Sequence, residues 1–393
     1  MNRLMAAVLL LATIVGQTHG DSIFDFRGTG KDVIPVAGAS RALGGAVAAS
    51  DDPLSAAVMS PFASALAEKV IVTIGASHTG TNTNNLGDEK RTATTTFPTI
   101  GLTVPLLRVS VMSGLFLEKE GRLSLADTGT VYVSEIYDAR YRREVSFYSV
   151  PLYVSADVYR RVIVAGGLVY SAFDSRQTDV IDFRSGELSD TEDVSEISAS
   201  GASFAVGLLV DLDMVRISGL YRAGTDMDGT LERENSHAGV WLKEDLTLSS
   251  EPSFKIGLWA RPIAPLSIEV DYDRSPWSDL KLDGRSITNK RVERWAVGIE
   301  YRGDHLWSAS RYPLCLGYYR QPLDWETEVT GEITEQVFSL GTSIRLGRDR
   351  AAISVALEFG QRDAKDQSNL SESTFAFSLS LSAMEVWARE IRR

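Results

Sequence analysis

Histidines, a lone cysteine and a short ladder of carboxylates are the side chains of this sequence that could do chemistry. Besides His19 near the start, the histidines are His78, His237 and His305, and Ser77, Ser236 and Ser308 lie next to or three residues from them. A nucleophile and its base must meet in space, and neighbours in an extended chain point to opposite faces. Ser77/His78 and Ser236/His237 are therefore badly placed as pairs. Glu269, Asp271 and Asp273 occupy alternate positions, so one strand face would carry all three. Such a ladder could move protons or bind a cation, and a wet wall neutralised by nearby arginines would look the same. No metal-ligand spacing, phosphate loop or dinucleotide fingerprint occurs, so neither an enzyme nor a cofactor is expected. Cys315, the single cysteine, excludes an internal disulfide and reads as a small apolar wall residue.

The elements that would position these residues are strands. Between Val70 and Trp387 the pattern gives fourteen strand-like segments whose gaps alternate strictly in length. Short gaps fall at Leu106-Leu107, Tyr159-Arg160, Leu212, Pro262–Ala264, Asp304–Ser308 and Gly347–Asp349. Long ones fall at Thr79–Arg91, Lys119–Tyr141, Asp174–Val194, Gly224–Asn235, Ser275–Lys290, Gln321–Thr330 and Gln361–Asn369. That rhythm predicts an all-β fold: a 14-stranded antiparallel transmembrane β-barrel with short turns on one side and long loops on the other. Side-chain parity agrees. Leu266, Ile268, Val270 and Tyr272 alternate with Ser267, Glu269, Asp271 and Asp273. Trp295/Val297/Ile299/Tyr301 and Phe375/Phe377/Leu379/Leu381 repeat the pattern. Aromatics near strand ends (Tyr170, Phe173, Tyr221, Tyr272, Trp277, Trp307, Tyr312, Trp387) fit interfacial girdles. A charge facing lipid at mid-depth costs roughly 2–4 kcal/mol. Arginine is therefore expected to be harmful at Leu357 or Leu379 and tolerated at inward Ser354 or Ser380.

Residues 1–20 have a basic start at Arg3, an apolar run from Leu4 to Val15 and a small polar end, the layout of a secretory signal peptide. That run is too short to cross a membrane as a helix, which takes about 20 residues. The formal net charge of -12 argues against nucleic acid as a partner. A mean hydropathy of -0.05 suits a barrel whose apolar face is hidden by alternation. The expected organisation is a signal peptide at 1–20, an N-terminal hatch or plug at 21–69, the barrel at 70–388 and a basic tail at 389–393.

The segment before the first strand does not alternate. It holds Gly44-Gly45-Ala46, then Asp51-Asp52-Pro53, then Ser60-Pro61-Phe62. Two prolines and a Gly-Gly pair set fixed turns rather than one long helix. At these residues the chain resembles the FadL-type outer-membrane transport superfamily, including its PorV-like relatives. Gly44-Gly45-Ala46 and Asp51-Asp52-Pro53 match that family's hatch, whereas Ser60-Pro61-Phe62 stands where Asn-Pro-Ala would be. Glu251–Leu258, the Trp277-Ser278-Asp279-Leu280 step and the terminal Trp387 with its basic tail resemble it too. The resemblance implies a fourteen-stranded outer-membrane barrel with a gating hatch, whose candidates are Gly44, Gly45, Asp51, Pro53, Ser60, Pro61 and Phe62. Implied partners are outer-membrane lipid and a hydrophobic or amphipathic small molecule. The alternative is a PorV-like scaffold or shuttle that binds secreted proteins.

Overall fold

The computed structural model describes residues 30–37, 39–53, 60–85, 88–106, 108–131, 135–159, 161–184, 189–236, 240–275, 277, 280–286, 292–303, 312–327, 331–346, 350–364 and 370–385. The expected signal peptide and basic tail, with Trp387, His237, His305 and Trp307, lie outside them. Fourteen antiparallel wall strands form one closed sheet. They are β1 (Val70–Asn85), β2 (Asp88–Leu106), β3 (Val109–Val131), β4 (Glu135–Tyr159), β5 (Val162–Phe183) and β6 (Thr191–Asp211). Next come β7 (Val215–Arg222 and Asp226–Asn235), β8 (Val240–Ser249 and Ser253–Ile263), β9 (Leu266–Arg274) and β10 (Glu293–Tyr301). The last four are β11 (Leu314–Thr327), β12 (Gly331–Leu346), β13 (Ala351–Ala364) and β14 (Leu370–Glu385). Antiparallel pairing of β14 with β1, from Leu370↔Asn85 to Glu385↔Val70, closes the barrel.

Parity assigns the faces as expected. Trp295, Phe338, Phe375 and Leu381 are exposed to the outside, while Ala296, Ser339, Ala376 and Ser382 on the alternate positions are buried. The polar side is not loosely filled. Ser354 and Ser380 are as buried as core residues, so the expected tolerance of arginine there is corrected: the inward face at these heights is packed.

The long gaps are corrected as well. Most of their residues are strand, not loop: β4 runs for 25 residues and β5 for 22, against the 9–11 that span a bilayer. Asp226–Asn235, read as loop, pairs with both β6 and β8. Beyond the lipid the outer face turns polar while inner positions such as Val145, Phe147 and Phe173 turn apolar, so the alternation of the lower wall is inverted while the backbone ladder continues. The strand number survives this error because the extra length all falls on one side. Two of the expected girdle aromatics are misplaced too. Phe173 and Trp277 are buried inside the tall side with Phe147, Met227 and Leu248, and ring centroids lie 4.4 Å (Phe147–Phe173) and 4.5 Å (Phe147–Trp277) apart.

Candidate functional site

The described residues between Ile34 and Ala67 sit against the inner wall. Ser40 starts a single 3-10 turn, Arg41–Leu43, that ends on Gly44 and Gly45 with φ of 65° and 80°. Side chains with a Cβ rarely adopt such angles, so the pair fixes the reversal. A row of wall glycines leaves room for it. A Cβ on Gly298 would lie 2.9 Å from Leu43 Cβ, one on Gly257 2.6 Å from Ala48 Cβ, and one on Gly341 2.6 Å from Ala42 Cβ. At Gly317 it would overlap the main chain of Leu43 and Gly44. Further on, Pro61 opens the short helix α1 (Pro61–Ala65), where its missing N–H costs nothing. Phe62 is buried against Ile163, Ala165 and Leu209, above the notch at Gly207. Ser60 donates its hydroxyl to Ala48 O at 3.1 Å, tying the two described parts together.

Charge completes the attachment. Asp271 accepts the Val47 and Ala48 amides at 2.9 and 3.0 Å and pairs with Lys255 at 3.3 Å. Asp51 pairs with Arg261, Asp52 with Arg302 (3.2 Å) and Arg345 (3.3 Å), and Arg41 with Glu358 at 2.7 Å. The three ladder carboxylates therefore share a face and divide the work. Asp271 holds main chain, Asp273 pairs with Arg294 at 3.0 Å, and Glu269 is buried opposite Trp259 and Gly298. Pro53 sits at the end of this run and is half-buried. No group of three or more metal-ligating side chains converges among the described residues. Ser77 bonds Ser378 at 3.0 Å and His78 bonds Thr95 at 2.9 Å, on opposite faces, so they form no catalytic pair.

Beside this segment the wall parts. The β2–β3 ladder runs from Leu106↔Val109 to Thr99↔Phe116 and stops, although both strands continue. β3 has a register shift between Leu117 and Lys119 against β4. Lys119 and Glu120, on opposite faces, are both buried, as expected of a strand turning inward. The N-terminal segment uses the edge so exposed: Lys31 pairs with Glu120 and Asp32 with Lys119, and Val33 N donates to Glu118 O at 2.8 Å. Across the seam Lys90 Nζ reaches Ser124 O at 3.0 Å.

A cavity of about 220 Å³ adjoins β3 on its inner side, with Met112, Phe116, Val169, Leu220 and Trp277 on its apolar walls. Arg222, Glu118 and Trp277 close it on the tall side. Arg222 donates to Glu118 at 2.9 Å, the Trp277 indole donates to Glu118 at 2.6 Å, and Arg222 stacks on the Trp277 ring at 5.3 Å. Sequence reasoning noticed Trp277 as a girdle aromatic without foreseeing that it meets Arg222 and Glu118. Glu118 gave no signal, because its position depends on the register shift.

A closed barrel of this kind, apolar outside and packed with polar and ionic contacts inside, has the fold of FadL-type outer-membrane channels. The superposable structures include a Pseudomonas aeruginosa FadL homologue (TM-score 0.64, 12% identity, 90% of this chain and 99% of that one). The Ralstonia pickettii toluene transporter TbuX gives a TM-score of 0.58 at 17% identity over 92% and 100% of the two chains. The Pseudomonas putida toluene transporter TodX gives 0.57 at 15% over 90% and 98%. No curated protein matches by sequence. Residues 2–392 match the BamG family, and the chain belongs to it.

Proposed function

We propose that the barrel admits a small hydrophobic or amphipathic molecule from the tall side and releases it sideways into the membrane through the β2–β3 seam. Residues 21–69 act in this reading as a hatch that denies a straight path to the other end. The observation that carries it is the broken β2–β3 ladder beside the apolar cavity. On the other side of that cavity the segment is tied down by glycine notches and by the pairs of Asp51, Asp52, Asp271 and Arg41. An apolar solute gains from leaving water, at about 25 cal/mol per Å² removed, and a lateral exit spares it the polar lower lumen. The toluene transporters of the same fold support a hydrophobic cargo. Closing the seam tests the proposal. Cysteines at Phe97 and Leu117, just past the last rung Thr99↔Phe116, in a Cys315→Ser background and joined by a short bis-maleimide, should abolish uptake of a fluorescent amphipath into proteoliposomes. Uptake unchanged by the cross-link would refute the lateral route.

A further inference from the structure

The cavity beneath the roof carries hydrogen-bonding groups that the protein itself does not use. Ser149, Tyr153 and Ser253 lie on its wall, and each is at most 7% exposed. Their hydroxyls are not sealed in protein and bond no other described residue, so they open onto the cavity. Elsewhere on the inner wall serines pair off, as Ser77 with Ser378 at 3.0 Å and Ser354 with Ser343 at 2.9 Å. Tyr153 is the deepest of the three. Gly167 across the ladder leaves room for its ring, since a Cβ there would lie 2.8 Å from Tyr153 Cδ1. The ring packs with Met112, Phe116 and Val169, which places a phenol hydroxyl in the apolar part of the cavity. Ser149 lies four residues up β4, roughly 13 Å away along the strand. Ser253 pairs across strands with Arg222 of the roof.

Charge disfavours an ionised guest. Every charged side chain on the lining already has a counter-ion. Arg222 meets Glu118 at 2.9 Å, Lys255 meets Asp271 at 3.3 Å, Arg294 meets Asp273 at 3.0 Å and Asp32 meets Lys119 at 3.7 Å. A carboxylate or ammonium entering here would break one of these pairs or lie unpaired, and either is costly. A plain hydrocarbon suits the apolar walls, but it displaces water from the hydroxyls without replacing its bonds. A neutral solute with one hydroxyl avoids both, because that group donates and accepts as serine and tyrosine do. Size sets the rest. An apolar cavity of about 150 Å³ takes a benzene, so one of about 220 Å³ holds a single ring with a short substituent.

We infer that the cavity selects small uncharged phenols and aromatic alcohols, with Tyr153 as the residue that bonds their hydroxyl. The inference rests on the cavity being the solute site of the proposed function, and not on the seam being its exit. Binding is therefore measured without transport, on the full-length protein in detergent, by competition against 4-fluorophenol in ¹⁹F NMR. The affinity of that reporter is determined for each variant. The competitors p-cresol, p-xylene and p-toluate share a tolyl ring and differ in one substituent, and equilibrium dialysis fixes their free concentrations. Tyr153→Phe should weaken p-cresol about tenfold, the size of one lost hydrogen bond, and leave p-xylene unchanged. In the wild type p-toluate should compete about tenfold more weakly than p-cresol, or worse. Tyr170→Phe, on the outer face, should match wild type. The Tyr153 hydroxyl bonds no described residue, so its removal should leave the barrel folded, which heat-modifiability checks. Equal changes for p-cresol and p-xylene, or p-toluate binding as tightly as p-cresol, would overturn the assignment and leave the lateral route standing. No saturable binding by any of the three would overturn it together with the cavity as a solute site. Uptake unaffected by the seam cross-link would refute the route while p-cresol selectivity still upheld this assignment.

Discussion

Gly317→Ala separates the seating of the N-terminal segment from the stability of the wall. In the wall, replacing glycine inside a strand with alanine gains roughly 0.5–1 kcal/mol. At the contact, the new methyl overlaps the main chain of Leu43 and Gly44, which have no rotamer by which to move aside. Overpacking of this kind costs about 1–3 kcal/mol. The methyl also overlaps Ser339 Oγ, which must turn aside and give up its 3.0 Å bond to Ala42 O; the strand term is the same whether the segment is seated or not, so the clash and this lost bond are what enter the seating equilibrium. That equilibrium should shift against seating by about 5- to 150-fold. Gly219→Ala is the control, since a Cβ there meets nothing within 4 Å. The assay is trypsin cleavage after Arg41, which is buried and paired with Glu358 when the segment is seated. Gly317→Ala should be cut faster than wild type while remaining heat-modifiable, and Gly219→Ala should be cut at the wild-type rate. Equal cleavage of the two variants would refute the idea that glycine notches seat the segment.

Three further outcomes follow from the packing. Leu340→Arg puts charge on an outward, 41% exposed residue one step deeper than the aromatic pair Tyr318–Phe338, toward the depth at which a charge facing lipid costs roughly 2–4 kcal/mol. It should impair assembly, judged by heat-modifiability, and Ser380→Arg should do so equally because its site has no room. Arg362→Met strands Glu335 and Glu372, which Arg362 meets at 2.8 and 3.1 Å in a buried network. Loss of one partner of such a pair costs about 3–5 kcal/mol, so urea unfolding should shift far more than for exposed Arg140→Ala, worth at most about 1 kcal/mol. Trp277→Ala removes the roof contact to Glu118 and the stack on Phe147. Amphipath uptake should rise and discrimination between solutes fall, measured by competition in proteoliposomes.

The wall was legible in the sequence because lipid imposes strict alternation on every strand, as in Trp295–Tyr301 and Phe375–Leu381. Strand length was not legible. Once β4 leaves the lipid the faces exchange character: Arg142, Glu144 and Ser146 point outward while Val145 and Phe147 pack inside, so the lipid-facing pattern used to count strands no longer marks them. Phe173 and Trp277 were assigned to girdles because an aromatic near a strand end looks the same from either side of the wall. The N-terminal motifs were visible as turns and small residues. Their partners were not, because Leu43 against Gly298 and Val47 against Asp271 are contacts between distant parts of the chain. The seam was hidden for a similar reason: a ladder that stops leaves no mark on the residues of either strand.

Anomalous scattering from a brominated aromatic amphipath soaked into crystals tests the proposed route most directly. The account predicts bromine peaks in the cavity beside Met112, Phe116 and Val169, with a second position in the seam between β2 and β3 above Thr99 and Phe116. Peaks running past Gly44 and Phe62 toward the short-turn end, with none in the seam, would contradict it.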